Sequence, residues 1–149
     1  MGLASESGLI LVEVNGSDLV TLLTELDAHQ AGGKQVLGRA DGQASVVLSL
    51  ENLHDFPRLQ ERLRARFGAG LRLSQGLGAV SAIGAGINAS FENFRKSLDV
   101  LDRLGISPAA VSTSAFRISL LLPEAKVQET VRHLHAALVR DDLTVPPPD

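Results

Sequence analysis

The sequence has no cysteine, no tryptophan and no tyrosine among its 149 residues, and only five phenylalanines. Without cysteine there are no disulfides, thiolate metal sites or cysteine nucleophiles, and a reducing cytoplasm is the expected setting. With so few aromatic rings the core must be aliphatic, and the stacking platforms that grip single-stranded nucleic acid lack material. Charge of one sign is also scarce as a block: 14 Lys+Arg are interspersed with 17 Asp+Glu, giving a net charge of −3. Neither a nucleic-acid footprint nor a polybasic membrane patch is expected from that pattern. No apolar run approaches a bilayer span, and residues 1–7 lack the basic flank and apolar stretch of a signal peptide. What remains is ordinary globular composition, 44% hydrophobic and 21% charged,.

Periodicity shows one pattern used twice. Residues 9–14 (LILVEV) form an apolar run suited to a buried strand, followed by a turn at 15–18,. Leu19, Leu22, Leu23 and Leu26 then stripe one helical face, stopped by Gly32 and Gly33,. Residues 34–39 and 44–50 read as strands joined through Asp41 and Gly42, a hairpin signal,. Phe56, Leu59, Leu63 and Phe67 mark a second helix, and residues 71–74 a last strand. The second copy has a strand at 79–83, a turn at Gly84, Ala85 and Gly86, and a helix striped by Phe91, Phe94, Leu98 and Leu101. It continues with strands at 109–112 and 116–122, a helix striped by Val127, Val131, Leu134 and Leu138, and a short strand at 143–145. Two strand-helix-strand-strand-helix-strand runs predict an α+β protein of two ferredoxin-like βαββαβ units, antiparallel sheets with helices on one face. The units are expected at 8–77 and 78–145, with a disordered proline tail at 146–149. Units this small leave a sheet face and edges to cover, which predicts a homodimer.

Several features allow more than one chemistry. Gly84-x-Gly86 lacks the third glycine of a dinucleotide fingerprint, since position 89 is Ala, so no cofactor is expected,. His133 and His135 diverge by about 200° around a helix and cannot share a metal ion, and no metal site is expected. His29 and His54 fall near helix ends, where an imidazole can serve a cap. Ser112, Thr113 and Ser114 have no adjacent base, which favours structural or ligand-contact roles over covalent catalysis. Glu13, Asp18 and Glu92 fall near the two strand-to-helix turns. They are read as helix caps, as partners for a ligand ammonium or, for Glu13 and Glu92, as an acid/base pair if the chain is an enzyme.

Residues 78–87 (GAVSAIGAGI) resemble the G-x-V-S-x-V-G-x-G-M opening of the last ACT unit of aspartate kinases. Residues 106–119 (ISPAAVSTSAFRIS) resemble that family's N-I-x-x-I-S-T-S-E-x-x-I-S segment, and Leu134 with His135 matches a Leu-His near the end of its last helix. The resemblance covers residues 78–138; residues 8–77 resemble the preceding ACT unit in pattern. It implies a tandem ACT regulatory module without the kinase domain. Such a module binds a small amino acid, of the lysine or threonine class, at an interface between units and exerts allosteric control over aspartate-family biosynthesis, alone or beside a catalytic subunit. The positions implied as ligand-binding are Gly84, Ala85, Gly86, Ile87, Asn88, Ser90, Ser112, Thr113 and Ser114 in the second unit. In the first unit they are Asn15, Ser17 and Asp18. The chain departs from the family where Asn88, Ala89, Ser90 and Phe91 replace Ser-His-Pro-Gly and where Ala115 replaces the acid of STSE. Those changes keep two alternatives open: a scaffold recruited as an enzyme or as a binder of a less polar metabolite, and a module that only dimerises or docks.

Overall fold

Strand β1 (Gly2–Asn15) carries the first apolar run, and it begins seven residues earlier than periodicity predicts. The chain continues through α1 (Leu19–Ala28), β2 (Gly33–Leu37), β3 (Gln43–Ser49), α2 (Phe56–Phe67) and β4 (Arg72–Ile83). It then forms α3 (Glu92–Arg103), β5 (Ala110–Thr113), β6 (Arg117–Pro123) and α4 (Val127–Leu134), the last extended by a π-helical turn over His135–Val139. The computed structural model describes residues 1–39 and 42–139. Asp41 of the expected hairpin turn, the expected strand at 143–145 and the tail at 146–149 lie outside the described residues.

The chain divides into two compact units, Gly8–Leu77 and Met1–Ser7 together with the segment from Gly78 onward. In the first, the strand order is β2-β3-β1-β4; in the second it is β1-β4-β6-β5. Strands β1 and β4 therefore serve both units, and the two strands expected at 71–74 and 79–83 are one. Gly8 (φ 65°) and Gly76 (φ 67°) sit where these strands change unit, in a left-handed conformation that glycine adopts without a Cβ penalty,. Pairing is antiparallel between β1 and β3, with Val12 opposite Val46, between β2 and β3, and between β5 and β6. The fold is α+β, built on antiparallel strand pairing.

Each unit has its own aliphatic core. In Gly8–Leu77, Ile10, Val12 and Val14 of β1 pack with Val46 and Leu48 of β3, Leu22 and Leu26 of α1, and Leu59 and Leu63 of α2. In the other unit, Val80 and Ala82 of β4 join Ile118, Leu120 and Leu122 of β6, Leu101 of α3 and Leu134 of α4. Every second strand residue faces its helices, as the pleat requires. Leu9 and Leu11, at the alternate positions of β1, are buried too. Ser97 and Thr130 are buried within helices, where each hydroxyl donates to the carbonyl four residues back, Asn93 and Lys126,.

Helices α1 and α3 stop in the same way. Past α3, Gly105 takes φ 69°, its N–H donates to Asp102 O, and Ile106 N–H donates to Leu101 O. Past α1, Gln30 takes φ 58°, its N–H donates to Asp27 O, and Ala31 N–H donates to Leu26 O. Both are Schellman closures with an apolar contact behind them. The first unit thus places glutamine where its repeat has glycine, two residues before the expected Gly32 stop. Among the described residues no helix is long and apolar enough to cross a membrane.

Candidate functional site

The connection from β4 to α3 wraps tightly on itself. Gly84 N–H donates to Phe116 O at 2.9 Å, tying the loop to the start of β6. Ile87 N–H then donates to Gly84 O, and Ala89 N–H donates to Gly86 O, with Gly86 at φ 72°. Ile87 turns into the core at 3% exposure and anchors the loop from beneath. Asn88 holds it from the side: its Nδ2 donates to Ser114 O at 2.5 Å and to Arg117 O at 3.1 Å. Asn93 Nδ2 donates to Ile87 O at 3.1 Å, and Ser90 Oγ accepts from Glu92 N–H at 3.2 Å at the start of α3.

The sequence-selected residues of this unit thus fall into two groups. Gly84, Asn88 and Ser114 meet, because the asparagine bridges the β4–α3 loop to the β5–β6 turn closed by Ser114 N–H and Arg117 O. Ser112 and Thr113 lie on β5 opposite Ser119 and Ile118, and Ser119 exchanges a 3.1 Å hydroxyl contact with Ser81. Ala85 and Ser90 are exposed. The Cβ side of Gly84 faces Met1, 3.3 Å from that residue's Cα, so the N-terminal segment and not a ligand covers this part of the backbone.

Within the loop Asn88 Oδ1 is buried and has no hydrogen-bond partner among the described residues. Both Nδ2 protons point at carbonyls, which fixes the amide orientation and leaves the oxygen as a pure acceptor. An unsatisfied buried acceptor costs about 1–3 kcal/mol, a cost that a donor from a ligand removes. The adjoining first turn of α3 presents N–H groups at the positive end of the helix dipole. An acceptor for an ammonium beside donors for a carboxylate is the complement of an α-amino acid. Replacing Asn88 by alanine should lower stability by about 1–3 kcal/mol, since Ser114 O loses the asparagine donor and Arg117 O loses one of its two donors,; urea denaturation measures this.

The matching turn of the first unit is built differently. Gly16–Asp18 form a single 3-10 turn, and Gly16 N–H donates to Gly42 O at 2.7 Å. Asn15 and Ser17 are exposed, and Asp18 precedes α1 without a side-chain capping bond. Glu13 is half-buried on β1 opposite Ser45. Glu13 and Asp18 belong to the unit Gly8–Leu77 and Glu92 to the other, where it pairs with Lys96 at 3.4 Å as an exposed i,i+4 partner. That is ordinary helix-surface electrostatics. No group of three or more His, Asp or Glu residues among those described could hold a metal ion. The bracing role of Asn93 was missed by sequence reasoning; its place as the second residue of the helix after a Gly-x-Gly turn is the signal that could have found it.

No family model matches this chain, and neither does any curated protein sequence. Solved structures do match in fold. The ligand-free regulatory subunit of aspartate kinase from Thermus thermophilus superposes with a TM-score of 0.77 at 17% identity, over 93% of this chain and 98% of that one. A structure of aspartokinase alpha and beta subunits gives 0.78 at 20% identity over 93% and 98%. E. coli aspartokinase III in complex with lysine and aspartate gives 0.70 at 17% identity, covering 93% of this chain and 33% of that chain. At these identities the likeness is one of fold.

Proposed function

We propose that this chain is a regulatory module that binds a free α-amino acid at the loop between β4 and α3 and transmits its occupancy to an associated catalytic chain. The observation that carries the reading is Asn88 Oδ1, a buried side-chain acceptor without a partner among the described residues. That oxygen is closed to solvent in the structure, so the loop opens as the ligand enters; the ligand ammonium then donates to it, and the carboxylate faces the first turn of α3. Support for a regulatory role comes from solved neighbours that are regulatory subunits of aspartate kinase. The module works as a homodimer in the cytoplasm, beside a catalytic partner.

The side-chain preference departs from the lysine and threonine class. Phe116, 63% exposed, offers its carbonyl to Gly84, and Phe91, 75% exposed, closes the loop before α3. The nearby acid, Glu92, is engaged with Lys96, and position 115 carries a methyl group. Two exposed rings without a free carboxylate favour an amino acid with an apolar side chain. Allostery then requires that the ligand bind one arrangement of the assembly better than another. Isothermal calorimetry against the proteinogenic amino acids tests the reading. Heat with leucine, isoleucine, valine or methionine and none with lysine is the expected result; no heat with any amino acid contradicts it.

A further inference from the structure

At the opposite end of the first unit from its β1–α1 turn, the α1–β2 and β3–α2 connections enclose a cleft of about 410 Å³. Its polar lining is His29, Gln30, Asn52, His54, Arg58 and Arg62, with no carboxylate among the lining residues. In a chain of net charge −3 this concentrates two guanidiniums and two imidazoles in one small volume. Arg58 and Arg62 stand four apart on α2 and share a helical face,.

Three features mark the cleft as built for a ligand. Of the two non-glycine residues with positive φ among those described, Gln30 (φ 58°) lines it and Asp55 (φ 51°) follows the lining residue His54 in the chain. Gln30 occupies the position that Gly105 fills in the other unit, so the first unit accepts a left-handed side chain and thereby puts an amide in the cleft,. His29 Nε2 donates to His54 O at 2.6 Å, which joins the two connections and leaves Nδ1 as the remaining polar atom of the ring,. The Arg58 guanidinium has no hydrogen-bond or ion-pair partner among the described residues, while Arg62 gives one arm to Glu25 at 3.1 Å and keeps further donors,. Asp55, next to His54 in the chain, accepts from Arg58 N–H at 3.4 Å as the cap of α2.

We infer that this cleft binds the phosphoryl or dicarboxylate head of a small anionic metabolite, at a site separate from the amino-acid loop. The guanidinium fork of Arg58 matches the paired oxygens of either group. The volume exceeds that of a bare oxyanion and falls in the range of small-molecule sites. The inference is independent of the amino-acid reading, because the two sites lie in different units and are probed by different amides.

The test is a ¹H–¹⁵N NMR titration of the full chain at low salt with pyrophosphate and, separately, with succinate. Saturable shifts at Gln30, Asn52, His54 and Arg58 are expected, with the tighter probe identifying the head group. Arg58→Gln should weaken that probe about tenfold, the loss of one charge-assisted contact. Arg103→Gln, which removes an equal charge from an Asp99 pair in the other unit, should leave the affinity unchanged. No saturable shift with either probe in the wild-type protein, or equal weakening by both substitutions, overturns the inference.

Discussion

Replacing Gly16 by alanine is expected to destabilise the protein by more than about 3 kcal/mol, at the severe end of single substitutions. A Cβ at this position would lie 1.8 Å from Arg39 O, 2.9 Å from Gly42 O and 3.0 Å from the Arg39 carbonyl carbon. All three are backbone atoms, so no side-chain rotation relieves the overlap. The β2–β3 hairpin must lift away, and the 2.7 Å bond from Gly16 N–H to Gly42 O goes with it. A control lies close by: a Cβ at Gly70 would meet nothing nearer than Asn15 Nδ2 at 3.7 Å, so Gly70→Ala should cost far less. Equal urea midpoints for the two variants would refute the packing of the hairpin on this turn.

Leu63→Ala should cost about 2–5 kcal/mol, the transfer of the lost methyl groups plus the cavity left behind. Leu63 is fully buried on α2, beneath β1 and β3 and among Leu59, Leu22 and Ile10. The informative comparison is Phe91→Ala. Helical periodicity assigns both residues to core stripes, yet Phe91 is 75% exposed at the N-cap of α3. Its loss should change stability by less than about 0.5 kcal/mol, as at surface positions generally. A costly Phe91→Ala would mean that another surface covers this ring. Denaturant titration of both variants, read at a common slope, separates these outcomes.

Legibility in the sequence followed the physics of each signal. The helical stripes and the alternating strand of β6 were plain because burial on one face writes a period of 3.6 or 2 into the residues. Phe91 and Phe116 broke that rule: both continue an apolar pattern one step beyond the end of the element that buries it. The polar strand segment at residues 2–7 carried no apolar alternation, so β1 was read as starting at Leu9. Residues 71–74 and 79–83 were read as two strands, although Gly76 only redirects one continuous strand, β4. The helix stop at Gln30 was misplaced because glutamine rarely adopts a left-handed conformation.

The candidate loop was legible through its Gly-x-Gly spacing, and residues 84–90 do form the turn that positions Asn88. What spacing could not convey is which atom is left without a partner, since that depends on where the carbonyls of Ser114 and Arg117 fall in space. The cleft between the α1–β2 and β3–α2 connections was hidden for a similar reason. His29 and His54 are 25 residues apart, and only the fold brings one ring to the carbonyl of the other.

The most direct test of the account is the Asn88 side-chain amide itself, followed by NMR as an apolar amino acid is added at millimolar concentration. The account predicts that the Nδ2 proton resonances and the backbone amides of residues 84–90 shift together and saturate, and that Asn88→Ala abolishes the binding while the core resonances stay in place. Shifts confined to other parts of the chain, or saturable binding that survives Asn88→Ala undiminished, would contradict it.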